Sequence, residues 1–398
     1  MDECVLVLNA GSSSLKFATY GLPRAGRWQL SCRGQIQGIG STANMWAHDG
    51  AGVTLIDRSL GSDVCNAAAA LHHLSAWLRE FLGGTRLLGV GHRVVHGGSQ
   101  FAGPTLVEPQ MLAQLRKLEP LAPLHQPYNL AAIDAVHHTL PDVPQVACFD
   151  TSFHRGQSAV AQLVPLPREI RGAEVQRYGF HGLSYEYIAG VLPQVAPTIA
   201  AGRVIVAHLG NGASLCALQA GRSIDHTLGF TALDGLCMGT RAGTIDPGVV
   251  LYLFQALGLS ASQVETMLYT KSGLLGISGI SNDMRVLLES SEADARLAVD
   301  YFVYQAVRQI GAMAAVLGGI DALVFTAGIG ENSSAIRQRI CEASAWLGLQ
   351  LDGAANQRGE TCISSKASHV AALVIPTNEE LMIARHTGKL LGLNGVSS

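Results

Sequence analysis

VLVLNAGSSSLKF, residues Val5 to Phe17, begins with four apolar residues that have the length and β-branched content of a buried strand. The run ends at Asn9-Ala10-Gly11, and Ser12, Ser13 and Ser14 lead into Leu15 to Tyr20, which predicts a paired return strand. A small-residue turn between two strands lets backbone N–H groups approach an anion such as a phosphate, although similar turns also join hairpins that bind nothing. VIVAHLGNGASLCAL, residues Val204 to Leu218, repeats the design around Gly210-Asn211-Gly212. Ser14-Leu15 and Ser214-Leu215 are expected at equivalent points after their strands. Two copies of one strand–turn–strand unit predict a duplicated α/β fold with a phosphate loop in each half and nucleotide in a cleft between the halves.

Composition fits that outline. A chain of 398 residues with 48% apolar and only 14% charged residues can build two substantial cores. Its net charge of −3 and the lack of a basic block make nucleic acid and anionic membrane poor partners. The eight cysteines are scattered without C-x-x-C spacing, which argues against metal clusters and a disulfide framework and fits a reducing cytoplasm. Met-Asp-Glu at the start has no basic segment of the kind that opens a signal peptide. Ile310 to Gly330 is apolar enough to mimic a membrane span, but Asp321 and Gly318-Gly319 divide it into a helix end and a strand.

Further along, Gly21 to Gly61 reads as more sheet and Ala67 to Phe81 as a helix that leaves His72 and His73 on a solvated face. Leu87 to Gly98 delivers His92, Arg93 and His96 from a short strand. Arg93, beside apolar Val94 and Val95, needs an anionic partner, either a ligand or a structural carboxylate. Leu121 to Pro127 predicts a rigid loop in which Pro123 and Pro127 bracket His125, with Leu124 beside it and helix from Tyr128. Asp150 follows the strand Val146 to Phe149, where open α/β sheets place ligand groups and where an aspartate also commonly caps a turn. Pro165 to Arg171 reads as an exposed loop near the domain boundary. His181 precedes a glycine at a helix start, a place suited to an anion.

His226 to Gly248 is an irregular, glycine-rich segment whose Gly239-Thr240-Arg241 suits phosphate. Lys271 to Arg285 reads as a second glycine-rich loop, and Ala293 to Leu317 as a long helix. Gly328 to Asn332 reads as a glycine turn after the strand Ala322 to Thr326. It lacks the third glycine of a dinucleotide fingerprint but serves as a floor under an adenosine. Glu379 and Glu380 open a final helix, where two acids either bind Mg²⁺ or favour a helix N-terminus.

Eight ordered motifs, NAGSSSLKF, GHRVVHGG, FDTSFH, RYGFHG, HLGNGAS, MGTRAGTIDPG, FTAGIGEN and PTNEEL, resemble the acetate kinase family over nearly the whole chain. The resemblance implies an actin-like, ribonuclease H-like pair of βββαβαβα domains. The first spans 1–150 plus about 380–398; the second, 151–379, carries nucleotide binding and a homodimer contact. It implies reversible, Mg²⁺-dependent (or Mn²⁺-dependent) phosphoryl transfer between ATP and a short carboxylate, giving ADP and an acyl phosphate. On that resemblance Arg93, Arg241, Asp150 and His181 are catalytic. Val95, Leu124, His125, Phe180 and Ala232 line the carboxylate site. Asn9, Ser12, Ser14, Lys16, His208, Leu209, Gly210, Asn211 and Gly212 hold phosphate. Asp283, Met284, Arg285, Gly328, Ile329, Gly330, Glu331 and Asn332 hold the adenosine side, and Asn9 and Glu379 hold the metal.

A carboxylate is already a nucleophile, so the residue types fit a reaction that needs positioning and cancellation of negative charge rather than a strong base. Ala232 stands where the family usually has a proline and predicts a roomier acyl pocket, so propionate is the alternative substrate. Thr244 replaces a frequent acid and Ala242 a usual serine beside Arg241. An ATPase of the actin or heat-shock kind would need a module for which no segment is spare, and a nicotinamide enzyme would rest on GIGEN alone.

Overall fold

In the computed structural model, which describes residues 2–24, 26–170 and 175–393, the chain forms two compact units. The first comprises Met1–Ser152 with Asn378–Ser398, and the second Phe153–Thr377. The first unit is built on β1 (Glu3–Ala10), β2 (Ser14–Arg24), β3 (Arg27–Gln37), β4 (Ala43–Asp49), β5 (Thr54–Gly61), β6 (Arg86–Val94), β7 (Thr105–Leu106) and β8 (Gln145–Phe149). Their order in the sheet is β5-β4-β3-β2-β1-β6-β8-β7. Strand β1 pairs antiparallel with β2 and parallel with β6, so Cys4 to Leu8 are buried on both faces and read as an unbroken apolar run. Strand β5, at the edge, is largely exposed.

The helix Ala67–Leu82 carries the chain from β5 at the sheet edge to β6 beside β1, completing the crossover that the parallel pair of β1 and β6 requires. Asn66 caps its start by accepting from Ala69 N–H at 3.0 Å, and Gly83, in the left-handed region, ends it. Leu71, Leu74 and Leu78 recur on one face and pack into the core with Leu6, Phe17, Ile36 and Met45. His72 is exposed and His73 half-buried, as a solvated face requires.

The second unit carries β9 (Arg203–Leu209), β10 (Ala213–Gln219), β11 (Arg222–His226), β12 (Ala322–Thr326) and β13 (Ala371–Val374), in the order β11-β10-β9-β12-β13. Three antiparallel strands followed by two parallel ones give the βββαβαβ part of the expected βββαβαβα path, and the helix that follows, Glu379–Leu390, belongs to the first unit. The helix Gly182–Val195 buries Tyr185, Ile188 and Leu192 against Val204, Val206, Leu218 and Val324. The helix Ala293–Leu317 has the predicted bounds and ends on Gly318 at φ 68°. The apolar stretch Ile310 to Gly330 therefore divides as the glycines indicated, and among the described residues no helix is long and apolar enough to cross a membrane.

Several expectations are corrected. The first unit has five antiparallel strands in succession rather than three, because Gly21 to Gly61 forms β3 to β5 after the first hairpin. The hairpin turns are not the same length: Ala10 pairs with Leu15, but Leu209 with Ala213. Asn9 thus faces Lys16 where His208 faces Ser214, and Ser14 and Ser214 are not equivalent. Lys271 to Arg285 is no continuous loop, since it holds the helix Gly273–Ser278 and the start of Met284–Glu289. Gly328 to Asn332 lies in the helix Ala327–Asn332. The helix after His125 begins at Gln126, with Pro127 in its first turn where a missing N–H costs nothing, so Pro127 belongs to the helix and not to the loop. The charged run after Pro167 ends at Arg171, which lies outside the described residues.

Candidate active-site residues in the two units

In the first unit, parallel strands β6 and β8 pair Val94 with Phe149, which sets Arg93 and Asp150 side by side at the strands' C-terminal ends. Arg93 Nε donates to Asp150 Oδ1 at 3.0 Å and Nη2 to Oδ2 at 2.6 Å, a forked ion pair. Asp150 is almost wholly buried, and Glu379 Oε2 lies 3.9 Å from Arg93 Nε. Of the two readings open for Arg93, the carboxylate partner is therefore present. Burial works against the Arg93 charge, but Asp150 and Glu379 outweigh it and hold the guanidinium protonated. Burial, with Glu380 beside it, raises Glu379 above the usual carboxylate range, against the pull of Arg93 and Lys16.

Asn378 sets those two acids in place by capping the helix Glu379–Leu390, where its side chain accepts from Leu381 N–H at 2.9 Å. Asn9 is half-buried and pairs across the hairpin with exposed Lys16, while Ser12 is exposed and Ser14 half-buried. Val95 is buried, His125 half-buried and Leu124 exposed.

Sequence reasoning missed Asn129 and Gln126. Buried Asn129 accepts from Val95 N–H at 3.0 Å and donates to Ala10 O at 2.7 Å, so it joins the end of β1 to the segment after Arg93. Gln126 both accepts from His96 N–H and donates to His96 O. Two amides three residues apart, just before the apolar run Leu130 to Ile133, were the available signal.

In the second unit, His181 caps the helix Gly182–Val195 with φ 58°, a left-handed conformation that a non-glycine residue holds only when its surroundings enforce it. Its Nδ1 pairs with Ser214 Oγ at 2.8 Å, and its ring stacks on His208 at 4.2 Å, whose Nδ1 pairs with Ser184 Oγ. His154, beneath them, donates from Nε2 to Phe180 O at 3.0 Å, which leaves Nδ1 to accept from Ser223. Arg241 Nη1 donates to Ala232 O at 2.8 Å. A Cβ on Gly212 would lie 2.7 Å from Arg241 Nη2 and 3.2 Å from His181 Nε2, so this glycine makes room for both.

The same turn leads into a cavity of about 680 Å³. Gly210, Asn211, Asp283, Met284, Arg285, Gly328, Ile329 and Asn332 line it, joined by Asn282, Leu288, Glu289 and Ser333 to Ala335. Asp283 and Arg285 form an ion pair on its rim. His208 and Leu209 lie outside the lining, in the histidine group and the strand core, and Gly212 lies in the turn beside Arg241 and His181.

Gly330 and Glu331 are also absent from the lining, and both are held by partners within the second unit. Glu331 Oε1 accepts from Ala327 N–H at 2.7 Å and Thr377 N–H at 3.1 Å, so it ties the helix Ala327–Asn332 to the segment after β13. Arg337, buried and unread in the sequence, donates to Gly330 O, Glu331 O and Asn356 and so fixes the same helix from its C-terminal end.

Burial also pushes His92, His96 and His154 down to about 4. Each titrates near 6.5 in an unfolded chain, so between the two values the unfolded state binds the extra proton. Stability therefore falls as pH drops from about 6.5 to 4, by up to about 3 kcal/mol for each histidine. His92→Gln, which keeps a polar group near Gln145, is expected to flatten the pH dependence of urea unfolding over that window. Curves for parent and variant that run parallel would contradict it.

The sequence matches the acetokinase family over residues 4–385. It is 52% identical over 398 residues to an acetate kinase of Rhodopseudomonas palustris, covering 98% of this chain and 99% of that protein. An acetate kinase of Rhizobium meliloti is 50% identical over 390 residues, covering 98% of each. Among solved structures, a propionate kinase from Francisella tularensis superposes with a TM-score of 0.90 at 36% identity, over 97% of this chain and 99% of the other. Porphyromonas gingivalis acetate kinase gives 0.87 at 34%, over 98% and 100%.

Proposed function

The chain belongs to the acetokinase family, and we propose that it reversibly transfers the ATP γ-phosphoryl to acetate by direct in-line displacement, giving acetyl phosphate and ADP. One observation carries this reading. The Gly210–Gly212 turn lines a nucleotide-sized cavity at one end and clears space for Arg241 and His181 at the other. A polyphosphate laid along that turn would meet backbone N–H groups first and then a guanidinium and an imidazole. The acetate carboxylate attacks without a general base, so the work left to the protein is to offset repulsion between two anions and to align them. Arg93 serves the carboxylate, with Asp150 fixing the plane of its fork.

Among the described residues no group of three or more His, Cys, Asp or Glu forms a metal cage. Mg²⁺ held by one carboxylate, water and substrate phosphates needs none. Glu379, raised by burial and by its acidic neighbour, is a carboxylate that gains from an added cation. Glu379 and Asn9 would hold the ion, which when bound neutralises charge on the phosphates.

The reading includes a homodimer and a cytoplasmic location. The helix Pro247–Gln255 buries none of its residues, and Leu251, Tyr252 and Phe254 are exposed, which suits contact with a second copy of the chain.

Trapping the acyl phosphate as hydroxamate across formate, acetate, propionate and butyrate tests the assignment. Acetate is expected to lead in kcat/KM. A lead for propionate would move the substrate and implicate Ala232, and ATP hydrolysis without any acyl product would overturn the kinase reading.

A further inference from the structure

Arg241 sits in a segment, residues 227 to 246, that has no strand or helix of its own, yet phosphoryl transfer needs its guanidinium in one place. Backbone bonds hold the chain beside Arg241, from Met238 N–H to Arg241 O and from Ala242 N–H to Leu268 O, and two further chords made through side chains bear on the guanidinium. One is Arg241 itself, which reaches back nine residues to Ala232 O. The other joins Asp234 to Thr244. Thr244 Oγ1 donates to Asp234 Oδ1 at 2.7 Å and accepts, at 3.2 Å, from a Gly235 N–H that it shares with Asp234 Oδ1 (2.8 Å), while Thr244 N–H donates to Gly235 O at 2.9 Å. The hydroxyl thus gives one hydrogen bond and takes another, which valine cannot do and serine can.

The clip is built into its surroundings. Gly235 (φ 90°) and Gly243 (φ 75°) both hold left-handed conformations, and a Cβ on Gly243 would lie 2.6 Å from Gly235 O. The far oxygen of Asp234 occupies the space a Cβ on Gly229 would take, at 2.6 Å. Gly229 O in turn accepts from Tyr178 N–H at 3.0 Å, three residues before His181.

We propose that Thr244 and Asp234 are positioning residues for Arg241, and that the Thr244 hydroxyl, as joint donor and acceptor, sets the guanidinium through the Ala232 carbonyl. The proposal rests on the reading that Arg241 serves phosphoryl transfer. Thr244 is exposed, so its substitution leaves the core packing alone.

The test measures acyl-phosphate formation by the full-length parent, Thr244→Val and Thr244→Ser, with melting curves for each. Thr244→Val is expected to lower kcat about tenfold with KM for ATP unchanged, since the cavity is lined by other segments. Thr244→Ser is expected to restore at least half of the parental kcat. On an Arg241→Lys background, Thr244→Val should cost less than a further twofold, because the guanidinium it places is gone. An unchanged kcat in Thr244→Val, an equal loss in Thr244→Ser, or a full tenfold loss on the lysine background would each overturn the proposal. A parent that makes no acyl phosphate would instead overturn the reading beneath it.

Discussion

Arg241→Ala is expected to lower kcat for acyl-phosphate formation by about 10³-fold or more while the protein stays folded. The side chain is half-buried in a loop and reaches back to Ala232 O at 2.8 Å, so its removal empties a place in that loop rather than in the hydrophobic core. What is lost is a guanidinium beside His181 Nε2, where negative charge spreads over the transferring phosphoryl. Lysine should recover only part of the rate, because a point charge cannot hold Ala232 O and face the Gly212 clearance together. The measurement is steady-state hydroxamate trapping beside a thermal melt. A variant that keeps its melting temperature and retains a tenth of the parental kcat would remove Arg241 from the chemistry.

Asp150→Ala should destabilise the first unit by about 3 kcal/mol as well as abolish most activity. Asp150 is buried and Arg93 largely so, and deleting the acid leaves a guanidinium whose remaining carboxylate, Glu379, is 3.9 Å away. An unpaired buried charge costs more than the pair ever contributed. Structure and chemistry separate in the double variant Arg93→Met, Asp150→Leu, which replaces the pair with apolar side chains. Urea unfolding is expected to show most of the lost stability restored, whereas acyl-phosphate formation stays absent. A double variant that remains as unstable as Asp150→Ala would mean that the loss came from something other than the stranded charge.

The elements that could be read in the sequence were those fixed by local pattern. The helix Ala293–Leu317 ends on a glycine that announces itself, and β1 and β9 are apolar runs that only a central strand explains. Elements decided by distant partners could not be read. GIGEN looks like a turn because its glycines favour one, yet Glu331 and Arg337 hold it as helix through bonds to Thr377 and Asn356. Lys271 to Arg285 misled in the same way. Arg93 and Asp150 could be named from their places at strand ends, but their pairing depends on the register of β6 against β8. Asn129 carried no motif, and its value lies in two backbone groups that only the fold brings near.

The unequal hairpin turns have a consequence for the ancestry of the two halves. If both descend from one segment, a single inserted or deleted residue in the turn was enough to break their symmetry. The rung opposite Asn9 came to carry a lysine open to solvent, and the rung opposite His208 a buried serine joined to His181. A one-residue change in an exposed turn is among the smallest lesions a gene can carry. Here it separates a half that offers an exposed cation from one that offers a buried hydroxyl, so the copies diverged in chemistry at a single rung.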